Sequence, residues 1–397
     1  MEEKNIGAGI REAVEKHAPA AKALSDDLGA HPEISAQEFE SSKKIVAILE
    51  KAGYEVEFPY CGMETAFRAV LDRCSGPSVA LMVEYDALPV VGHGCGHNLH
   101  GSLSVLSALA LMDLGDLVTG KLYIIGTPDE EIDGGKIGMA EKGVFDGLSL
   151  AAMMHSTSRG LCQADMDALS LRSYTMEFFG RSAHAVASPW AGHSALAAAR
   201  KFLDLIDARR ECFTPDIHVN ATITDGGKAV NVIPEHAGIR IEFRTASMAA
   251  LASVDDLIVK CAKGAALALD CEVTWTQNYD DFADMVRIKT LEDEVEGLFT
   301  SRGAKMEAIS PPIGSTDVGN VSYRCPTIQP LIAITGEALS LHTREFAEAT
   351  KTPAAFEAMK TGAEILAALA LKVFGDGEFR DKIQRDFKES LEKKTKI

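Results

Sequence analysis

Two short apolar runs, Val79–Val83 and Leu122–Ile125, bracket a helix-forming stretch at Asn98–Leu114, and this order constrains the fold more than any other feature. A strand, a helix and a strand in succession imply a largely parallel sheet covered by helices. A third run, Ala66–Leu71, has the alternation and β-branching of another strand. Ahead of it, Ile10, Val14, Ala18 and Leu24, then Phe39, Ile45, Val46 and Leu49, recur at helical spacing within 9–29 and 36–53. His31-Pro32 breaks the two helices apart and Ala52-Gly53 ends the second. In α/β sheets of this kind, chemistry sits at the strand ends.

The pattern changes near Leu169. Ser173–Phe179, His218–Thr224 and Gly238–Phe243 read as strands, the first two alternating like half-exposed ones, while Ser194–Asp207 and Ala249–Leu269 read as helices. The 397 residues exceed what one ordinary core organises. The expected architecture is α/β: a catalytic domain with a mainly parallel mixed sheet flanked by helices, built from 1–167 and 282–397, interrupted by an α+β domain at 168–281. Arg380–Ile397 is strongly charged and reads as an exposed helix or a frayed tail.

A formal charge of −18 with no overriding basic cluster argues against nucleic acid and leaves small molecules or peptides as partners. Ala363–Phe374 is the most apolar helical stretch and is too short and interrupted to span a bilayer. The opening Met1-Glu2-Glu3-Lys4 is acidic and polar, unlike a signal peptide. Eight scattered cysteines without a C-x-x-C suggest a reducing compartment, and the cytoplasm is expected.

Chemistry concentrates in four segments: Gly92-His93-Gly94-Cys95-Gly96-His97-Asn98, Asp129-Glu130-Glu131, Met153-Met154-His155 and Leu341-His342-Thr343. Cys95 and His97 flank one glycine, so a tight loop can turn a thiolate and an imidazole toward one point. The same pattern also describes a buried cysteine beside a hydrogen-bonded histidine. Glu130-Glu131 follow the strand-like Tyr123–Gly126, and adjacent acids off a helix are expected to point in different directions. One could then bind metal while the other faces water as a base; a solvated charge pair is the plain alternative. His155 ends an apolar run and His342 lies among Ser and Thr, and either could be a hydrogen-bonded structural histidine. Asp86, behind Val79–Val83, is placed to orient a ligand histidine. His93 and His100 add nearby donors of surface or supporting character.

Taken in order, these segments resemble the M20 metallopeptidase family and its amidohydrolase branch, which includes aminoacylases and aminobenzoyl-glutamate hydrolases. The resemblance runs nearly the whole chain, through His31-Pro32-Glu33, Glu38-Phe39-Glu40, Asp86-Ala87-Leu88-Pro89, Gly94-Cys95-Gly96-His97-Asn98 and Thr127 to Glu131. It continues in Gly180-Arg181-Ser182-Ala183-His184-Ala185, Asn231-Val232-Ile233-Pro234, Gly314–Gly319 and His342-Thr343. It implies a fold like the di-metal aminopeptidases, with the insertion as a lid and dimerisation domain. It implies metal ligation by Cys95, His97, Glu131, His155 and His342, with Glu130 as the base acting on water. His184 would polarise the scissile carbonyl, often in the partner subunit's site, so a homodimer is implied. Asn231 and Arg244 match substrate-contacting positions, although Arg244 could equally serve a salt bridge with Glu242 or Asp225. Other branches carry His-x-Asp where this chain has Glu84-Tyr85-Asp86, so their ligand set does not transfer. Ala187–His193 looks closest to the aminobenzoyl-glutamate hydrolase and dipeptidase subgroup.

The expected activity is hydrolysis of the amide bond of a small N-acyl amino acid or aminobenzoyl-glutamate-like conjugate. One or two divalent ions would assist, Zn²⁺ or Mn²⁺ first and Co²⁺ or Ni²⁺ as possibilities. A dipeptidase of the same fold is the near alternative. Two rivals of another kind are a Cys95 nucleophile activated by His97 or His93, which would survive a chelator, and a non-catalytic binding protein, which would hold no metal.

Overall fold

The computed structural model describes residues 3–395; Met1 and Glu2 of the acidic leader and Lys396 and Ile397 of the charged tail lie outside them. The chain forms two compact units. Among the described residues, one holds the chain up to Asp167 and again from Met285 to Lys393; the other holds Ala168–Asp284 with Lys394 and Thr395.

The first unit opens with α1 (Glu3–Ala30), α2 (Phe39–Ala52), β1 (Glu55–Glu57), β2 (Phe67–Asp72) and β3 (Ser78–Val83). It continues through α3 (His97–Asp113), β4 (Lys121–Gly126), α4 (Gly135–Glu141), β5 (Leu150–Ala152) and β6 (His155–Thr157). The second unit contains β7 (Ser170–Phe179), α5 (Ala195–Arg209), β8 (His218–Asp225), β9 (His236–Thr245), α6 (Met248–Ala268) and β10 (Glu272–Gln277). The chain then returns with α7 (Lys289–Ser301), α8 (Val318–Ser322), β11 (Thr327–Ile328), β12 (Leu331–Ala333), α9 (Arg344–Ala349), α10 (Pro353–Gly375) and α11 (Gly377–Thr395).

In the first unit the sheet order is β1-β2-β4-β3-β5-β11. The β4-β3-β5-β11 side is parallel, whereas β1-β2 and β2-β4 are antiparallel. The chain between β2 and β3 is only residues 73–77, too short for a crossover. Strand β3 must therefore run against β2, and β4, parallel to β3, enters between them. A separate two-stranded parallel sheet pairs β6 with β12, matching His155 with Leu331.

Helix α3 is the centre of this unit. Every residue from His97 to Leu111 is buried, which fits a helix apolar on all sides and covered on all sides. It packs against β3, α1 and α10, with Leu103, Leu106, Val14, Leu24, Leu81, Ile365 and Leu369 in one continuous core. Gly101 sets how close α3 comes to the sheet. A Cβ there would lie 2.0 Å from the Glu84 carbonyl oxygen at the end of β3. Only a residue without a side chain lets the helix carrying His97 and His100 settle there.

The second unit is an antiparallel sheet, β10-β7-β9-β8, with α5 and α6 packed on it. Phe178, Phe202, Ile239, Phe243, Leu251 and Ile258 form its core. Ser194 caps α5 and Ser247 caps α6, each hydroxyl accepting a backbone N–H of the first turn. Strand β10 is not among the strands expected from the sequence; its apolar residues are only Val273 and Trp275. No helix among the described residues is long and apolar enough to cross a membrane.

Candidate metal centre

The strand ends β3 and β4, the N-terminus of α3, the start of β6 and the loop before α9 converge inside the first unit. Gly96 precedes α3 at φ 82°, a left-handed turn that suits glycine, and so turns Cys95 and His97 inward. Both are buried. His97 Nδ1 lies 2.9 Å from the Asp86 carbonyl and 3.0 Å from Asp86 Oδ1. Both partners can only accept, so Nδ1 carries a hydrogen, and in the neutral ring the lone pair is on Nε2. Asp86 is itself fixed, accepting from Ser35 Oγ at 2.8 Å and from the Glu131 backbone N–H at 3.0 Å.

His97 Nε2 is buried and has no hydrogen-bond partner. Around it stand Glu84 Oε2 at 3.6 Å, Glu131 Oε1 at 3.8 Å and Glu130 Oε2 at 4.0 Å. An orphaned lone pair facing three carboxylates is costly unless a positive charge sits between them. Burial works against a charge on His97, but Asp86, Glu84 and Glu131 outweigh it and raise the imidazole well above its usual range. That pull toward a proton is the same pull a cation would feel.

The donor atoms fit such an ion. Cys95, His97 and His155 form one group with ligand spacing, and Cys95, Glu131 and His342 form another; within each, all donor atoms lie within 4.8 Å of one another. Cys95 belongs to both. His155 Nδ1 donates to the Ser156 carbonyl at 2.8 Å, leaving Nε2 as the free donor atom. Burial lowers the His155 imidazole to about 4, so it is neutral, as ligation requires. His342 is more exposed, stands at φ 62°, and places Nε2 3.6 Å from Glu131 Oε2. Its backbone N–H bonds the Gly94 carbonyl at 3.0 Å, and a Cβ on Gly94 would come within 3.1 Å of His342 Cα.

One expectation changes here. Glu130 and Glu131 do not diverge: both carboxylates turn toward His97 Nε2. Asp129 precedes them at φ 64°, with its N–H on Glu38 Oε1 at 2.9 Å, and this bend redirects the pair. Of the two roles open to His100, the structure shows the supporting one: it is buried, bonds Glu84 Oε2 at 3.1 Å, and sets its ring centroid 4.7 Å from that of His155 and 5.0 Å from that of His97. Glu84, Lys136 and Asp317, which no sequence pattern assigns a role, are fully buried beside the centre. A lysine directly behind Gly134-Gly135 and followed by apolar residues was the one available signal.

Burial, followed by the charges of Glu84 and Asp317, raises the Glu130 carboxyl well above the carboxylate range, and a bound cation would draw it back. Burial and the nearby Glu131 and Glu130 likewise raise the Cys95 thiol. A thiol held in that form is a poor nucleophile, which weighs against Cys95 as the attacking group.

The second unit carries His184, Asn231 and Arg244. His184 is exposed, and its Nδ1 accepts the Val186 and Ala187 N–H groups at 3.2 and 3.1 Å, so Nε2 carries the hydrogen and can donate outward. The His184 and Asn231 segments pair, Ala185 N–H bonding the Asn231 carbonyl at 3.0 Å. Arg244 does not join them. It lies near the far end of β9 and grips Glu242 Oε1 at 2.9–3.0 Å.

The peptidase dimerisation domain family matches residues 169–269. The chain is 32% identical to the Xaa-Arg dipeptidase of Mus musculus over 96% of this chain and 92% of that protein. It is 25% identical to one of the subunits of p-aminobenzoyl-glutamate hydrolase from Escherichia coli strain K12, over 95% of this chain and 94% of that one. In fold it is similar to a dinuclear metal-binding peptidase of the M20 family from Bacillus subtilis, with TM-score 0.71 and 22% identity, covering 91% of this chain and 99% of that one. The chain belongs to the M20 family of metallopeptidases. It is a metal-dependent hydrolase of amide bonds.

Proposed function

We propose that this enzyme cleaves the amide bond of small dipeptides and dipeptide-like conjugates, aminobenzoyl-glutamate and N-acyl amino acids included, with dipeptides first. The observation that carries the metal-dependent reading is the buried, unpartnered Nε2 of His97 among three carboxylates. Precedence for dipeptides follows the 32% identity to a dipeptidase against 25% to the conjugate hydrolase. Cys95, His97 and His155 would hold one ion and Cys95, Glu131 and His342 a second. Zn²⁺ or Mn²⁺ are the first candidates for such a thiolate, imidazole and carboxylate set. When bound, the ion acidifies water and polarises a carbonyl.

The protein's own part is proton handling and orientation. Asp86 holds the His97 ring so that Nε2 faces inward. Glu130 accepts the water proton on its carboxylate and passes it to the leaving amine nitrogen. His184 donates from Nε2 to the carbonyl oxygen, Asn231 assists substrate binding, and Arg244 is reserved for a substrate carboxylate only if Glu242 yields it. Apo protein reloaded separately with Mn²⁺ and Zn²⁺ should cleave a panel of Xaa-Arg and other dipeptides, aminobenzoyl-glutamate and N-acetyl amino acids, with dipeptides cleaved fastest. Equal activity after exhaustive chelation would remove the metal reading, and a preference for N-acetyl amino acids would remove the dipeptide reading.

We further propose a homodimer through the second unit and a cytoplasmic location. The match to a dimerisation domain supports the first, as does β8 at the sheet's edge with exposed Ile223. Light scattering should give twice the chain's 42.5 kDa; the mass of one chain would exclude the dimer. Eight cysteines, all free, support a reducing compartment; fractionation that recovers the protein outside the cytoplasm would reject it.

A further inference from the structure

Glu84 follows β3 directly and points into the centre, with Oε2 3.6 Å from His97 Nε2. With His97 and His100 it forms a third group whose donor atoms lie within 4.8 Å of one another. By distance alone, Glu84 belongs among the ligands.

Its hydrogen bonds say otherwise. The Ser156 backbone N–H reaches His100 Nδ1 at 3.2 Å, and an N–H can only donate. His100 Nδ1 is therefore the acceptor and Nε2 carries the hydrogen, which it gives to Glu84 Oε2 at 3.1 Å. His100 thus has no lone pair for an ion. The other oxygen, Glu84 Oε1, receives the Lys136 ammonium at 2.5 Å. Lys136 is 0% exposed, and Asp317 pins it twice, Oδ1 on Nζ at 2.8 Å and Oδ2 on the backbone N–H at 2.9 Å.

We propose that Lys136, anchored by Asp317, is a positioning residue that withholds Glu84 from the metal and so keeps the ligand set to Cys95, His97, Glu131, His155 and His342. A buried lysine is a compact point charge that binds a carboxylate without presenting a lone pair of its own. Without it, Oε1 loses its partner and only the His100 N–H on Oε2 still holds a carboxylate that lies within a short rotation of the ion. An added carboxylate tightens the site and occupies a position that water or substrate needs. The inference rests on the metal-centre reading above.

The test is equilibrium dialysis of apo protein against Mn²⁺, alongside steady-state kinetics. Lys136→Met should bind Mn²⁺ about tenfold more tightly while kcat falls about tenfold and KM moves far less. Lys136→Arg, which keeps the charge, should stay within about threefold of the parent in affinity. Adding Glu84→Gln to Lys136→Met should return the affinity to the parent value. Unchanged or weaker Mn²⁺ binding by folded Lys136→Met overturns the inference, as does tight binding that survives Glu84→Gln. Should Lys136→Met fail to fold, Glu84→Gln alone decides. A change within about tenfold supports a withheld Glu84, and a loss beyond about a hundredfold means that Glu84 is already a ligand. Parent protein that binds no Mn²⁺ overturns the metal-centre reading together with the inference, whereas normal parent binding with an unaltered variant removes the inference alone.

Discussion

Glu130→Gln should lower kcat by about three orders of magnitude and leave the bound metal per chain unchanged. The amide keeps the shape and size of the carboxylate but cannot take a proton from water. Glu130 is absent from both donor groups that contain Cys95, although it also groups with His97 and Glu131, so unchanged metal content is the result that separates a base from a ligand. The carboxyl lies close enough to His97 Nε2, at 4.0 Å, to face whatever sits beside that nitrogen. Single-turnover kinetics with parallel elemental analysis of the same sample separates the two effects. A variant that keeps more than about a tenth of the parent rate would take the base away from Glu130, and one that sheds its metal would make Glu130 a ligand instead.

Cys95→Ala should cost both ions together, because Sγ is the one donor shared by the two groups. His155→Ala and His342→Ala each touch a single group and should each weaken one ion while sparing the other. Loss of an orienting partner behind a ligand already weakens metal binding about 10–100-fold, so loss of a shared donor should exceed that. Elemental analysis after dialysis reads the result directly. If Cys95→Ala is inactive yet retains its full metal complement, the thiol acts chemically and not as a ligand. That outcome would revive the nucleophile that the raised Cys95 thiol argues against.

Much of this was legible in the residues, and the limits have physical causes. The β3–α3–β4 order announced itself because two short apolar runs flank a longer stretch rich in Leu and Ala. Strand β10 did not, since an edge strand buries little and Glu272–Gln277 carries only two apolar side chains. Cys95, His97 and Asp86 were legible because close spacing and position after a strand already restrict where they can point. The shared orientation of Glu130 and Glu131 was not, because it depends on the bend at Asp129 and on Glu38, which is 91 positions away. Lys136 is the extreme case. Its two carboxylates are 52 and 181 positions distant, and no local pattern reports a charge that is neutralised only after the chain has folded. Arg244 reads as a carboxylate binder from its chemistry alone; that Glu242 already holds it follows from their places on the same side of β9.

The β6–β12 pairing and the packing of α10 on α3 carry a consequence for biosynthesis. A nascent chain emerges from its N-terminus and folds in that order. When the ribosome has released the second unit, Cys95, His97, Glu131 and His155 are already outside, but β12, His342 and α10 are not. At that stage β6 has no partner strand and one flank of the apolar α3 lies bare. A half-made enzyme would expose sticky surface while offering thiol and imidazole to any passing cation. Ribosome stalling, premature stop codons and slow translation beyond residue 285 should therefore be the points at which this protein most needs a chaperone.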